Sequence, residues 1–88
     1  MMGARSIGGN YWKNFTTNDW ILGDDGMYTM IIPNDLHALG YYCHFHLTRL
    51  HNGEYKSAAV HYEIAANGDI TVYSREAFAG IAYVVSGV

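Results

Sequence analysis

The sequence predicts an all-β fold, an antiparallel meander forming a small β-sandwich or partly open barrel of about 5–7 strands. Three observations predict it. Short apolar or alternating stretches recur along the chain, clusters of Gly, Asn and Asp separate them, and a helical period is nearly absent. With 88 residues the chain supports one modest core, which excludes two domains and any eight-fold β/α barrel. Half of the residues are hydrophobic and 15% are charged, a composition that folds.

Residues 1–10 (MMGARSIGGN) read as a flexible N-terminal arm, or one ordered by a neighbouring subunit, and residues 11–88 as a single β-domain. The first strand signal, WIL at 20–22, stops at the turn GDDG (23–26). MYTMII at 27–32 follows and is stopped by Pro33, which cannot donate a ladder hydrogen bond. DLHAL (35–39) and SREAFA (74–79) have helix-friendly composition, but Gly40 and Gly80 close them, so both read as loops or single turns. Residues 41–50 form a long aromatic-rich strand, HNGE (51–54) a hairpin turn, and residues 55–66 the return strand. NGD (67–69) then turns the chain into ITVY (70–73): a two-residue turn at Asn67 and Gly68 would put Ile70 and Val72 on the histidine face, and a three-residue bulged loop, favoured by burial, returns them to the core side. IAYVV (81–85) is the last strand.

Charge and cysteine usage narrow the partners. The formal charge is −3, and Arg5, Lys13, Arg49, Lys56 and Arg75 form no run along the chain. Nucleic acid is therefore not an expected partner, because phosphate contacts need a basic stripe. The single Cys43 cannot make an internal disulfide and sits in an apolar alternating run, where it reads as a small buried hydrophobe. No stretch reaches the length of a signal peptide's apolar region or the ~18 apolar residues of a membrane span, so no membrane partner and a cytoplasmic location are expected.

The 41–66 hairpin carries the most chemistry. A tight turn at Asn52 and Gly53 pairs His51 with Glu54 and, further out, Leu47 with Ala58, Phe45 with Val60 and Cys43 with Tyr62. That apolar face is the core side. The opposite face then brings His44 directly across from His61, with His46 and Glu63 beside them. Three imidazoles and a carboxylate at cross-strand spacing make a candidate site for zinc or another divalent metal. The competing and favoured reading is that this face is wet, or packed on a second subunit, which His and Tyr both tolerate. His44 and His46 also resemble the cupin metal pair, but the acid and second glycine-rich motif that cupins carry do not follow. Asp24, Asp25 and Asp35 lack the alternating ligands of a calcium loop, and no serine lies in a nucleophile elbow.

Aromatic residues outnumber what one small core hides. Tyr42, Tyr55, Tyr11 and Trp12 are the candidates for an interface or for stacking on a glycan. A marginal core, low charge and this aromatic surplus together predict a homo-oligomer.

One order of features resembles a known class. Trp20 is followed by DGMYTMIIP (25–33), HALG (37–40), a hairpin, NGDITVY (67–73), FAG (78–80) and a closing apolar strand. Over roughly residues 20–85 this resembles the small β-sandwich modules at the C-terminal ends of phage tail fibre and tip proteins, and similar stand-alone small proteins of mobile elements such as integron gene cassettes. The resemblance implies an oligomeric module that binds a surface or receptor, on a virion in the phage case, and it transfers no catalytic residue. The expectation is a non-enzymatic β-module that self-associates and binds a glycan or protein partner without a cofactor. The alternative is a divalent-metal protein using His44, His46, His61 and Glu63.

Overall fold

Asn52 and Gly53 both take positive φ, 51° and 80°, the pair of left-handed residues that a tight type I′ hairpin requires. The flanking strands pair in the predicted register, His51 opposite Glu54 and Thr48 opposite Ser57. The computed structural model describes residues 4–7 and 10–87, and around this hairpin it forms a sandwich of two antiparallel sheets with no barrel closure. The all-β class predicted from the sequence is the one that forms.

The strands are β1 (Ala4–Ile7), β2 (Asn10–Phe15), β3 (Ile21–Leu22), β4 (Tyr28–Ile32), β5 (Cys43–His51), β6 (Glu54–Ser57), β7 (His61–Ile64), β8 (Ile70–Ser74) and β9 (Gly80–Ser86), with one helical turn, α1 (Asn34–His37). The first sheet runs β1-β2-β9-β5-β6 and the second β3-β4-β8-β7. The described residues thus hold nine strand segments where the sequence suggested fewer, because β1 and β2 precede the first expected strand and the return strand divides at residues 58–60 into β6 and β7, one in each sheet. Nor is the order a simple meander. Hairpins alternate between the layers, and β9 inserts between β2 and β5. Within residues 1–10, β1 lies antiparallel to β2, with Ala4 opposite Lys13 and Ile7 opposite Asn10. Residues 1–3, 8 and 9 of that predicted arm lie outside the described residues, as does residue 88. No helix among the described residues is long and apolar enough to cross a membrane.

Alternation along each strand supplies the core. Tyr11 and Phe15, Met30 and Ile32, Leu47, Ile70 and Val72, and Ala82 and Val84 all point between the sheets and are buried. Trp20 and Phe78, from the crossings, close one end. Their rings and that of Phe15 meet at 5.1 to 5.9 Å, and Trp20 Nε1–H donates to Phe78 O at 2.8 Å. The other end is closed by α1. There buried His37 bridges Gly68 O (2.7 Å, through Nε2) and Leu39 N–H, which donates to Nδ1 at 3.0 Å. Asn34 N–H donates to Asp69 Oδ1 at 2.8 Å. The motifs at 37–40 and 67–69 are therefore two sides of one contact.

One local departure shapes the surface. The β5–β9 ladder runs from Cys43 opposite Ser86 to Leu47 opposite Ala82 and then opens. Thr48 Oγ1 takes its place, accepting from Ile81 N–H (3.0 Å) and donating to Ile81 O (3.2 Å). Gly80 makes that approach feasible, since a Cβ there would lie 1.9 Å from Thr48 O. Beyond this point β5 projects past the core, and its inward face carries Arg49 in place of an apolar residue.

Candidate functional site

The structure separates the predicted histidine group. Past Ser57 the return strand leaves the edge of β5 and crosses to the second sheet, so His44 has Val85 as its ladder partner and His61 has Tyr73. The expected pairing of His44 with His61 is thereby corrected. Across the crossing the Phe45 and Tyr62 rings meet at 5.0 Å. His44 and His46 lie on the outer face of the first sheet, while His61 and Glu63 lie on the outer face of the second. There Tyr73 donates to Glu63 Oε1 at 3.2 Å, and His61 Nε2 is 3.5 Å from Glu63 Oε2. Loss of solvent and then the Glu63 charge and hydrogen bond hold the Tyr73 hydroxyl above its usual pKa. Among the described residues no group of three or more His, Cys, Asp or Glu is placed to hold a metal ion.

The aromatic candidates also divide. Tyr11 is only 2% exposed and faces inward on β2 between the sheets, so it is a core residue and not an interface one. Burial raises its hydroxyl pKa. Trp12, one position on, points outward and is exposed, as are Tyr42 and Tyr55. Cys43 faces the core and is half-buried, and burial pushes its thiol pKa up, away from reactivity.

Trp12 and Tyr55 stand on a continuous surface. Cross-strand register places Trp12, Tyr83 and His46 in one row, with Val85 and His44 in the next row toward the Asn10 end of β2 and Leu50 beside Tyr55 at the other edge. The His46 and Tyr83 rings are 5.9 Å apart. Along β2, β9, β5 and β6 this outer face presents no Asp, Glu, Lys or Arg, because Lys13, Arg49, Glu54 and Lys56 all fall on inward register positions.

Two of those inward charges, Arg49 and Lys56, line a second feature, a cleft of about 480 Å³ between the β5–β6 hairpin and the loop after β8. Its wall includes Arg49 and Lys56, which are direct cross-strand partners, and Arg75 from the loop. Its floor is Phe78 with Ala58, Ala59 and Val60 of the crossing. Arg49 is held from two sides, its guanidinium 4.9 Å above the Phe78 ring and paired with Glu76. Sequence reading missed this cleft. Half of the signal was present: the register that sets His51 opposite Glu54 also sets Arg49 opposite Lys56 on the core-facing side. The arrival of Arg75 depends on the path between sheets, which no local pattern encodes.

Comparison with protein-family models, with curated proteins and with solved structures finds no match to this chain.

Proposed function

We propose that this protein is a non-enzymatic β-sandwich module that associates with a second copy of itself through the outer face of the first sheet and binds a further ligand or partner. The observation that carries this reading is the uncharged face along β2, β9, β5 and β6, with Trp12, Tyr83, Val85, Leu50 and Tyr55 on it. Outward sheet positions of a solvated monomer ordinarily alternate polar and charged residues. Here four adjacent strands present none of the chain's formal charge, and on the fifth, β1, Arg5 is the register partner of Trp12 at the edge of this plane. Aromatic rings at the centre of such a plane are the side chains that dominate subunit contacts. The reading agrees with what the resemblance to phage tail modules implies, an oligomeric β-module.

Sedimentation velocity tests it. The untagged protein is expected to form dimers or larger species at micromolar concentration, and Trp12→Lys and Tyr55→Lys to shift it to monomer with little change in thermal midpoint. A parent protein that stays monomeric up to several hundred micromolar refutes self-association.

A further inference from the structure

We propose that the cleft between the β5–β6 hairpin and residues 74–78 binds a small organic monocarboxylate, with the carboxylate at Arg75 and the apolar body on Phe78 and the 58–60 crossing. This site is distinct from the outer face and does not depend on self-association.

Charge supports the anion. Arg49, Lys56 and Arg75 are three of the chain's five Lys and Arg residues. With Glu76 they give the lining a formal charge of +2, which leaves −5 on the rest of a chain whose total is −3. Two of these cations have partners: Arg49 pairs with Glu76, and Lys56 Nζ is 3.7 Å from Glu54. Arg75 has no acidic partner among the described residues. One unmatched guanidinium calls for one negative charge, and its planar fork fits a carboxylate.

Placing Arg49 directly opposite Lys56 is a like-charge pair that disfavours the hairpin, offset by the Phe78 ring and Glu76 on Arg49 and by Glu54 on Lys56. Chains keep such locally unfavourable choices where a site uses them. The apolar half of the ligand follows from the floor. Phe78, 6% exposed and fixed by Phe15 and Trp20, lines the cleft beneath Arg49 together with Ala58, Ala59 and Val60. A volume of about 480 Å³ takes a ring-sized body but no folded partner.

The test is an amide chemical-shift titration of the ¹⁵N-labelled protein with benzoate, beside phenyl phosphate, inorganic phosphate and benzyl alcohol. Benzoate is expected to give saturable shifts confined to residues 57–60 and 74–78. In Arg75→Gln, an exposed substitution whose unchanged spectrum elsewhere shows that it folds, affinity is expected to fall about tenfold. No saturable shift up to ~10 mM benzoate overturns the proposal. So does benzyl alcohol matching benzoate, which removes the charge recognition, or inorganic phosphate matching it, which removes the apolar recognition. Tighter binding of phenyl phosphate overturns the assignment of a monocarboxylate. Repeating the titration on Trp12→Lys separates the two proposals, since cleft binding is expected to survive there whether or not the parent self-associates.

Discussion

Replacing Gly80 by Ala inserts one methyl group where the first sheet has no room for it. The new Cβ would stand 1.9 Å from Thr48 O, 2.8 Å from Thr48 C and 3.0 Å from Phe15 Cζ, whereas real Cβ contacts begin near 3.0 Å. At least about 1.1 Å must be gained between β5 and β9. Phe15 cannot yield, because it is packed against Trp20 and Phe78. The strands must therefore part, and that breaks the two hydrogen bonds of Thr48 Oγ1 with Ile81 and the Leu50 N–H bond to Ala79 O (2.8 Å). Three bonds at about 1 kcal/mol each give roughly 3 kcal/mol, and overpacking against Phe15 adds to it. For a domain of this size that corresponds to a thermal midpoint lower by about 12–24 °C. Urea unfolding followed by tryptophan fluorescence, with thermal circular dichroism, reads the change. A loss below about 1 kcal/mol would show that the β5–β9 opening is pliable and that Gly80 is not what holds Thr48 in the ladder.

Two further outcomes are expected at the α1 end. Ala38 sits at φ 57°, ψ 25° as the left-handed cap of α1, its N–H donating to Asn34 O at 2.7 Å. Ala38→Gly relieves about 1–2 kcal/mol of steric cost against an unfolded-state entropy loss of about 0.4–1 kcal/mol, so urea unfolding should show a small net gain, and a loss would refute it. Asp69 has its pKa lowered, chiefly by the Asn34 backbone N–H and then by the Asn67 side chain. Because the folded pKa is depressed, the carboxylate's contribution is fully present above the usual carboxylate value and fades as pH falls through the folded one. The stability gap between parent and Asp69→Asn, measured by urea unfolding, should therefore be constant well above the usual carboxylate pKa of about 3.9 and narrow progressively as pH falls through and below that value. A gap that does not change over that range would contradict the assignment.

What was legible in the sequence, and what was not, follows from where each decision is made. The turn at Asn52 and Gly53 is a local decision, since few residues adopt two consecutive positive φ values, and the register of β5 with β6 came with it. The return of Ile70 and Val72 to the core was likewise readable, because a bulged loop is the way to bury both. The break at residues 58–60 was not. Ala58, Ala59 and Val60 contain no Gly or Pro to mark the break, which is visible only in the placing of β6 and β7 in different sheets, with Phe45 and Tyr62 meeting across it. The histidine grouping depended on that strand staying flat, so it dissolved with the crossing, while the pairing of Arg49 with Lys56, which lies nearer the turn, survived. Burial was misjudged at Tyr11 for a similar reason: an aromatic count does not say which face of β2 looks inward.

In the first sheet the ordinary polarity is reversed in two places. Inward register positions carry Arg49 and Lys56 where the sandwich opens, and outward positions along four strands carry Trp12, Tyr83, Val85, Leu50 and Tyr55 without a charge among them. Outward charges and inward apolar residues need no explanation beyond folding. An inward cation pair and an uncharged outward plane do, because each lowers the stability or solubility of the isolated chain. The two departures meet at β5 and β6, whose inward register holds Arg49 and Lys56 and whose outward register adds Leu50 and Tyr55 to the plane begun by β2 and β9. A single hairpin thus borders both proposed surfaces: its outer side adjoins the plane proposed to meet another copy of the chain, and its inner side lines the cleft proposed to take a small anion.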